Sequence, residues 1–262
     1  MLPNIVLGPD NRSTFMRATA DLTGVVEHVA GMTVAVERAT STLMDVVERL
    51  DERTTHLPSL LPGWSRAHVL SHLARGADGS VNLLLWARTG VEHPMYASDS
   101  DREADIEEGA LRIPQLLVED LAASCARLTH AVRTMPLTAW TSEVLDRAGE
   151  PAPAYEVLRA RLLEVWIHLA DLDLGFGFDD IPEPDVELLL EDVVQRFGGR
   201  PDVPALSVVV DFDGRSRSWQ LRGTTSKPVQ ARGRPGPMLG WLLGRTGPDR
   251  LEGELPALPD WL

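Results

Sequence analysis

Residues 61–78 read LPGWSRAHVLSHLARGAD. Pro62 and Gly63 close a loop that begins at His56, and Ser65 stands where an N-cap side chain accepts a backbone N–H. Leu70, Leu73, Ala77, Val81 and Leu84 then recur at helical spacing, so a helix runs from Ser65 to about Arg88. His68 and His72 lie four apart and share one face of it. A second stretch, EVWIHLADL at 164–172, has the same design: Glu164 and His168 lie one turn apart, and Arg161 and Asp171 extend a polar stripe on an otherwise apolar helix. Two such helices in a bundle can direct their side chains to one point, as ligands do in metal-binding bundles. Two imidazoles and a carboxylate suit Zn²⁺, and three protein ligands leave a position open for water or substrate. Spacing alone does not decide between His68 and His72. It also leaves plainer alternatives: an exposed Glu–His contact contributing a few tenths of a kcal/mol, a core His72 bonded to a carbonyl, or a loop-packing His68.

Outward from these stretches the chain stays helical for about two thirds of its length. Residues 1–15, MLPNIVLGPDNRSTF, hold no period and read as a loose tail, with Met16 an alternative start. Val25, Val29, Met32, Val36, Leu43, Val47 and Leu50 form the apolar face of a long first helix. The acidic run SDSDREADIEEG (98–109) opens a third helical region that Pro114 breaks or kinks before Leu117, Leu121, Cys125, Leu128 and Val132 continue it. A loop with Pro136, Trp140 and Pro151 follows, and Pro153 is expected in the first turn of a fourth helix ending near Gly175. After Gly177 the texture changes. A helix over Pro184–Phe197, a hairpin made of ALSVVVDF (205–212), an Asp213-Gly214 turn and SRSWQLR (216–222), a third strand near Pro228–Ala231 and a helix over Gly236–Gly244 describe a small α+β unit. The expected domain boundary lies at 178–183, giving a helical domain over 16–178 and an α+β domain over 179–262, with no internal repeat.

Composition narrows the function classes. The 262 residues are 44% hydrophobic and 24% charged, enough for a sizeable core, and the net charge of −14 argues against nucleic acid or anionic membrane as the main partner. No run of about 18 apolar residues is present, and the N-terminus shows no secretory pattern. The single cysteine, Cys125, has no partner for an internal disulfide and fits a reducing cytoplasm. Its place in an apolar helical pattern reads as packing. Lys227 is the only lysine among 25 basic residues, a bias that GC-rich coding explains. With no heptad seam, a monomer is the default expectation.

LPGWSRAHVLSHLARGAD, EVWIHLADL, PMYASDSDREADIEEGA (94–110) and GWLLGR (240–245) together resemble the mycothiol-dependent maleylpyruvate isomerase family. The resemblance spans nearly all of the chain beyond the first 15 or so residues. It implies an α+β protein of two domains: a DinB-like four-helix bundle holding a divalent metal, and a C-terminal domain related to sterol-carrier-type folds. Carried over position by position, it implies metal ligands at His72, Glu164 and His168, and leaves His68 structural or supporting.

The implied reaction turns the cis diacid maleylpyruvate into trans fumarylpyruvate, in gentisate breakdown. Rotation about the double bond requires that bond to become single for a time, and addition of a thiolate achieves this. Zn²⁺ favours the thiolate form, and mycothiol is the thiol that the family resemblance supplies. Arginines suit the substrate carboxylates; Arg102 and Arg245 are the candidates, with Arg161 a weaker one. A surface ion pair for Arg102 and a helix C-terminal cap for Arg245 are the plainer roles, and Trp64 and Trp166 read as packing. Two other functions stay open: a mycothiol S-transferase acting on other electrophiles, and a metal-dependent small-ligand binding module, the latter favoured if His68 were a fourth ligand.

Overall fold

A computed structural model describes residues 9–198, 200–223 and 227–261, with side chains from residue 23 onward. In chain order the elements are α1 (Pro9–Val47), α2 (Glu52–Thr55), α3 (Arg66–Thr89), α4 (Asp99–Ala110), α5 (Pro114–Arg133), β1 (Glu143–Leu145), β2 (Pro151–Pro153), α6 (Glu156–Asp171), α7 (Glu183–Gly198), β3 (Leu206–Phe212), β4 (Arg215–Leu221), β5 (Val229–Gly233) and α8 (Pro235–Leu242). The protein is α+β, helical in its N-terminal part with small sheets beyond. It forms two compact units, Met1–Leu57 with Ser65–Val165, and Pro58–Trp64 with Trp166–Leu262. The division falls within α6, and the 178–183 segment lies inside the second unit.

In the first unit, the α1 face predicted from periodicity is buried at Met32, Val36, Leu43 and Val47. Helix α1 already begins at Pro9, so residues 9–15 of the expected tail are helical, while 1–8 lie outside the described residues. Helix α3 is capped by Ser65, whose hydroxyl accepts from the His68 N–H, and closes on Gly90 in the left-handed region at φ 71°. It packs against α4 and α5 and buries Leu70, Leu73, Ala77 and Leu84. Ser98 caps α4, and Pro114 opens α5 as a separate helix after the extended Ile113.

The 143–155 segment departs from expectation. In place of a loop leading straight into a helix, β1 and β2 pair antiparallel, with Val144 opposite Ala152 and buried. Asp146 accepts from the Ala148 and Glu150 N–H groups and closes the turn between them. Pro153 therefore ends a strand, and α6 starts at Glu156.

The second unit carries a three-stranded sheet in the order β4-β3-β5, with β4 antiparallel and β5 parallel to β3. Leu206, Val208, Val210 and Phe212 alternate inward along β3. Helix α8 packs on β3 and β5, and α7 packs on α8 and β4. Trp166 joins this core: its indole N–H donates to Asp185 at 3.2 Å and its ring stacks on Phe176, which confirms it as a packing residue. Among the described residues no helix is long and apolar enough to cross a membrane.

Helix α7 is tied to β4 by Glu187, whose carboxylate accepts from Arg215 and, at 2.6 Å, from Arg217. The Arg215 hydrogen bond, outweighing partial burial, holds Glu187 at about 2 against 4.5 for a free glutamate. A carboxylate depressed in the folded state contributes stability above its unfolded pKa and loses it as the pH falls toward the folded one. Glu187→Gln is expected to lower Tm near neutral pH by about 1–3 °C. The gap to the parent should narrow as pH falls below about 4.5; a gap that is constant from pH 6 to 3 by differential scanning fluorimetry would refute this role.

Candidate active site

Helix α6 buries Leu158, Leu162 and Val165, yet the same helix carries Arg161 into the interior of the first unit, with a partly buried Glu164 beside it. Arg161 is only 1% exposed. Its Nη1 donates to Glu164 Oε2 at 2.8 Å and to the Leu73 carbonyl at 2.9 Å, and its Nη2 reaches Cys125 Sγ at 3.6 Å. Burial is the largest single influence and would lower the guanidinium pKa, but the charges and hydrogen bonds of Glu164 and Cys125 together outweigh it and hold the group above its ordinary value. Helix α3 meets the Glu164 carboxylate with Gly76, where a Cβ would stand 2.6 Å from Oε1 and 2.7 Å from Oε2. A glycine inside a helix is destabilising by about 1 kcal/mol; here it makes room for the carboxylate.

The remaining Glu164 oxygen, Oε1, lies 3.2 Å from Nε2 of His72, which is 5% exposed. The other ring nitrogen of His72, Nδ1, lies 3.0 Å from Nη2 of Arg102. A guanidinium only donates, so Nδ1 accepts, and the neutral ring carries its hydrogen on Nε2 toward Glu164. Arg102, on α4, is 8% exposed, and its Nε is buried with no hydrogen-bond partner. The Tyr96 ring flanks it, 5.6 Å from guanidinium carbon to ring centroid. Burial raises the Tyr96 phenol above its ordinary pKa, the charge of Glu164 adds to this, and Arg102 only partly offsets it. Tyr96 is thus a neutral O–H donor beside a cation.

In the second unit, His168 Nδ1 lies 3.0 Å from Asp171 Oδ2. Burial would raise the fully buried Asp171, but hydrogen bonds from His168 and Arg245 prevail and hold it below the usual carboxylate range. An ionised Asp171 only accepts, so Nδ1 of His168 carries a hydrogen toward it. Arg245 holds the same carboxylate through two nitrogens, Nε to Oδ1 at 2.9 Å and Nη2 to Oδ2 at 3.3 Å. Its Nη1 donates to the Leu243 carbonyl at 3.2 Å, a contact of the helix-capping kind.

These side chains fit a divalent metal in donor type. Bonds of about 2.0–2.1 Å at a tetrahedral centre set neighbouring donors roughly 3.3 Å apart, which is the His72–Glu164 spacing. The chain from His168 to Asp171 is the carboxylate–histidine arrangement that orients metal-binding imidazoles. Among the described residues, however, no group of three or more His, Cys, Asp or Glu side chains is gathered as a cluster. His68 is engaged elsewhere: its Nδ1 accepts from the Ser65 N–H at 3.2 Å and its Nε2 faces Glu107 at 3.3 Å, completing the capping box of α3. Cys125 is buried against Arg161, and Arg161 itself is spent on Glu164 and Leu73. Trp64 closes the Ser59 turn through its carbonyl.

Sequence reasoning missed Gly76 and Tyr96 and gave Asp171 no role beyond a polar stripe. Gly76 left a faint signal, a glycine in mid-helix without a turn to make. Tyr96 left none, because nothing in PMYASDSD says that its ring lies beside Arg102.

Residues 36–173 match the model of the mycothiol maleylpyruvate isomerase N-terminal domain. A comparison with curated proteins finds no match. Among solved structures, a crystal structure of the mycothiol-dependent maleylpyruvate isomerase is similar at 31% identity and a TM-score of 0.78, covering 89% of this chain and 97% of that one. A histidine-to-alanine mutant of the mycothiol-dependent maleylpyruvate isomerase is similar at 30% identity, with the same TM-score of 0.78 and the same coverage. The family match spans more than half of the chain, and the structural likeness extends over both units: this chain belongs to the mycothiol-dependent maleylpyruvate isomerase family.

Proposed function

We propose that the chain isomerises maleylpyruvate to fumarylpyruvate with mycothiol as the thiol cofactor and a divalent metal, Zn²⁺ by donor set, on His72, Glu164 and His168. The observation that carries this reading is the support behind two of those side chains. Glu164 is fixed through Oε2 by Arg161 while Oε1 faces His72, and His168 is fixed through Nδ1 by an Asp171 that Arg245 grips. Histidines held this way ligate through the other nitrogen. When bound, the metal favours the thiolate form of a cofactor thiol, the nucleophile that a transient single bond requires.

The chain's own residues supply the rest. Arg102 is a cation for one carboxylate of the diacid, and Tyr96, kept protonated, can donate to an oxygen that gains negative charge. Arg245 acts through Asp171, since its two-nitrogen edge is already occupied. The engagement of His68 in the α3 cap supports an open metal position over a closed four-ligand shell, and so an enzyme over a binding module. Cys125, free and buried, accords with a cytoplasmic setting.

The direct test is a spectrophotometric maleylpyruvate assay on metal-quantified protein with and without mycothiol. Turnover only with mycothiol, at about one metal per chain, is expected. No turnover despite bound metal would move the function to S-transfer onto other electrophiles. His72→Ala is expected to abolish both metal retention and activity. Asp171→Asn and Arg245→Met should each weaken Zn²⁺ binding about 10–100-fold in a chelator competition; unchanged affinity in both would remove the supporting role. Gly76→Ala offers a sharper contrast. The gain of about 1 kcal/mol that helix propensity gives alanine is outweighed by the disturbed Arg161–Glu164 pair, so Tm is expected to fall, and the displaced Glu164 should lower Zn²⁺ affinity about tenfold.

A further inference from the structure

The second unit holds a cavity of about 400 Å³, small-molecule in size and roomier than a short diacid requires. Two glycines one turn apart on α8 shape its wall. A Cβ on Gly236 would stand 2.7 Å from both the amide nitrogen and Oδ1 of Asp179, and one on Gly240 would stand 2.7 Å from Thr246 Oγ1 and 3.0 Å from the Phe178 ring. The turn at Phe178–Asp180 and the loop that carries Thr246 therefore seat directly on the α8 backbone.

The polar groups along this wall are of both kinds. Arg250 donates from Nη1 to Asp179 Oδ2 at 2.6 Å, which leaves Nε and Nη2 to donate elsewhere. Asp180 accepts from the Gly177 N–H through Oδ2 at 2.8 Å, which leaves Oδ1. The Thr246 hydroxyl has no hydrogen-bond partner among the described residues. A hydroxyl both donates and accepts, so a ligand rich in hydroxyls satisfies such a set. A carboxylate only accepts, and here it would be repelled. With Arg245 spent on Asp171, the three charges of Asp173, Asp179 and Asp180 stand against the single guanidinium of Arg250. Phe176 and Pro237 add apolar surface for the C–H faces of a ring.

We propose that this cavity binds the glycoside of the thiol cofactor, an amino sugar joined to inositol, and does not take the diacid. The proposal rests on mycothiol being that cofactor: its cysteine is joined to the glycoside by an amide, so the glycoside is rich in hydroxyls and uncharged. Arg245 lines the cavity and also grips the Asp171 that faces His168, which sets the glycoside beside the His168 end of the proposed centre.

The probe is the N-acetylated glycoside without its cysteine, titrated calorimetrically into the full chain with no thiol present; acetylation keeps it neutral, as the amide does in the cofactor. Saturable binding is expected. Arg250→Ala and Asp180→Ala should each weaken it about tenfold, and maleate should not displace it. The Arg250 side chain is 64% exposed, so its removal leaves the core intact. Asp260→Ala, on the neighbouring cavity that shares Arg245 and Thr246, is the control and should bind as the parent does. In turnover, Arg250→Ala and Asp180→Ala should raise KM for mycothiol and leave KM for maleylpyruvate unchanged. Absence of saturable binding, unchanged affinity in both variants, displacement by maleate, or a loss confined to Asp260→Ala would each overturn the proposal. The underlying reading fails differently: if mycothiol gave no turnover while the glycoside still bound and both variants weakened it, the isomerase reading would fall and the cavity would stand as a glycoside site.

Discussion

The site depends on holding the partly buried Glu164 carboxylate against an apolar interior. A charge taken out of water is tolerated only with a close partner and with its remaining hydrogen-bonding capacity met. Arg161 is that partner; it is itself buried, and its two terminal nitrogens find acceptors while its Nε has none. It is met by acceptors from three helices: Leu73 on α3, Cys125 on α5 and Glu164 on α6. Apolar packing between helices tolerates small slides and rotations, but a guanidinium with fixed donor directions does not. The group that makes the buried charge tolerable therefore also fixes the register of α3, α5 and α6. Gly76 belongs to the same solution, because the carboxylate occupies the volume that a side chain on α3 would fill.

Arginine serves three acceptors in three ways. Arg161 fixes a proposed ligand directly, through one oxygen of Glu164. Arg245 acts one step back, gripping the Asp171 that orients His168. Arg102 donates to a ring nitrogen and leaves Nε buried without a partner. In the first two the acceptor is a carboxylate, held through both oxygens by Arg245 and through one by Arg161, whose own Nε is buried with no hydrogen-bond partner. In the third, a cation meets a neutral acceptor, and half of its binding edge is unfilled.

Much of this was legible in the sequence for physical reasons. The Ser65 cap and the apolar spacing through Leu84 located α3 to within a residue at either end, because both are local signals that need no tertiary context. The β3–β4 hairpin was legible from alternation and its Asp213-Gly214 turn. The β1–β2 pair was not, since strands of three residues with prolines carry no readable period. For the site, the spacing of Glu164 and His168 showed that a helix could present them together, and the family resemblance singled out His72. The spacing could not tell a capping His68 from a ligand, because both lie on the same face of the same helix. Nor could it show that the Arg245 edge is filled while that of Arg102 is not. Such facts depend on residues 74 positions away for Arg245 and 30 for Arg102, and on which nitrogen faces which partner.

Charge adds a constraint that helical spacing does not express. The proposed substrate, a dianion, would approach a chain of net charge −14, yet at physiological salt a repulsion between exposed charges fades within about 8 Å. Attraction at the site has to be of similarly short range, and a buried guanidinium provides this, being weakly screened and strong at contact. The same burial makes an unoccupied guanidinium costly, so it needs a partner in the absence of substrate. His72 is that partner here, its Nδ1 accepting one hydrogen bond from Nη2 of Arg102. A carboxylate in that place, like Asp171 opposite Arg245, would hold the cation too tightly for a substrate to displace it.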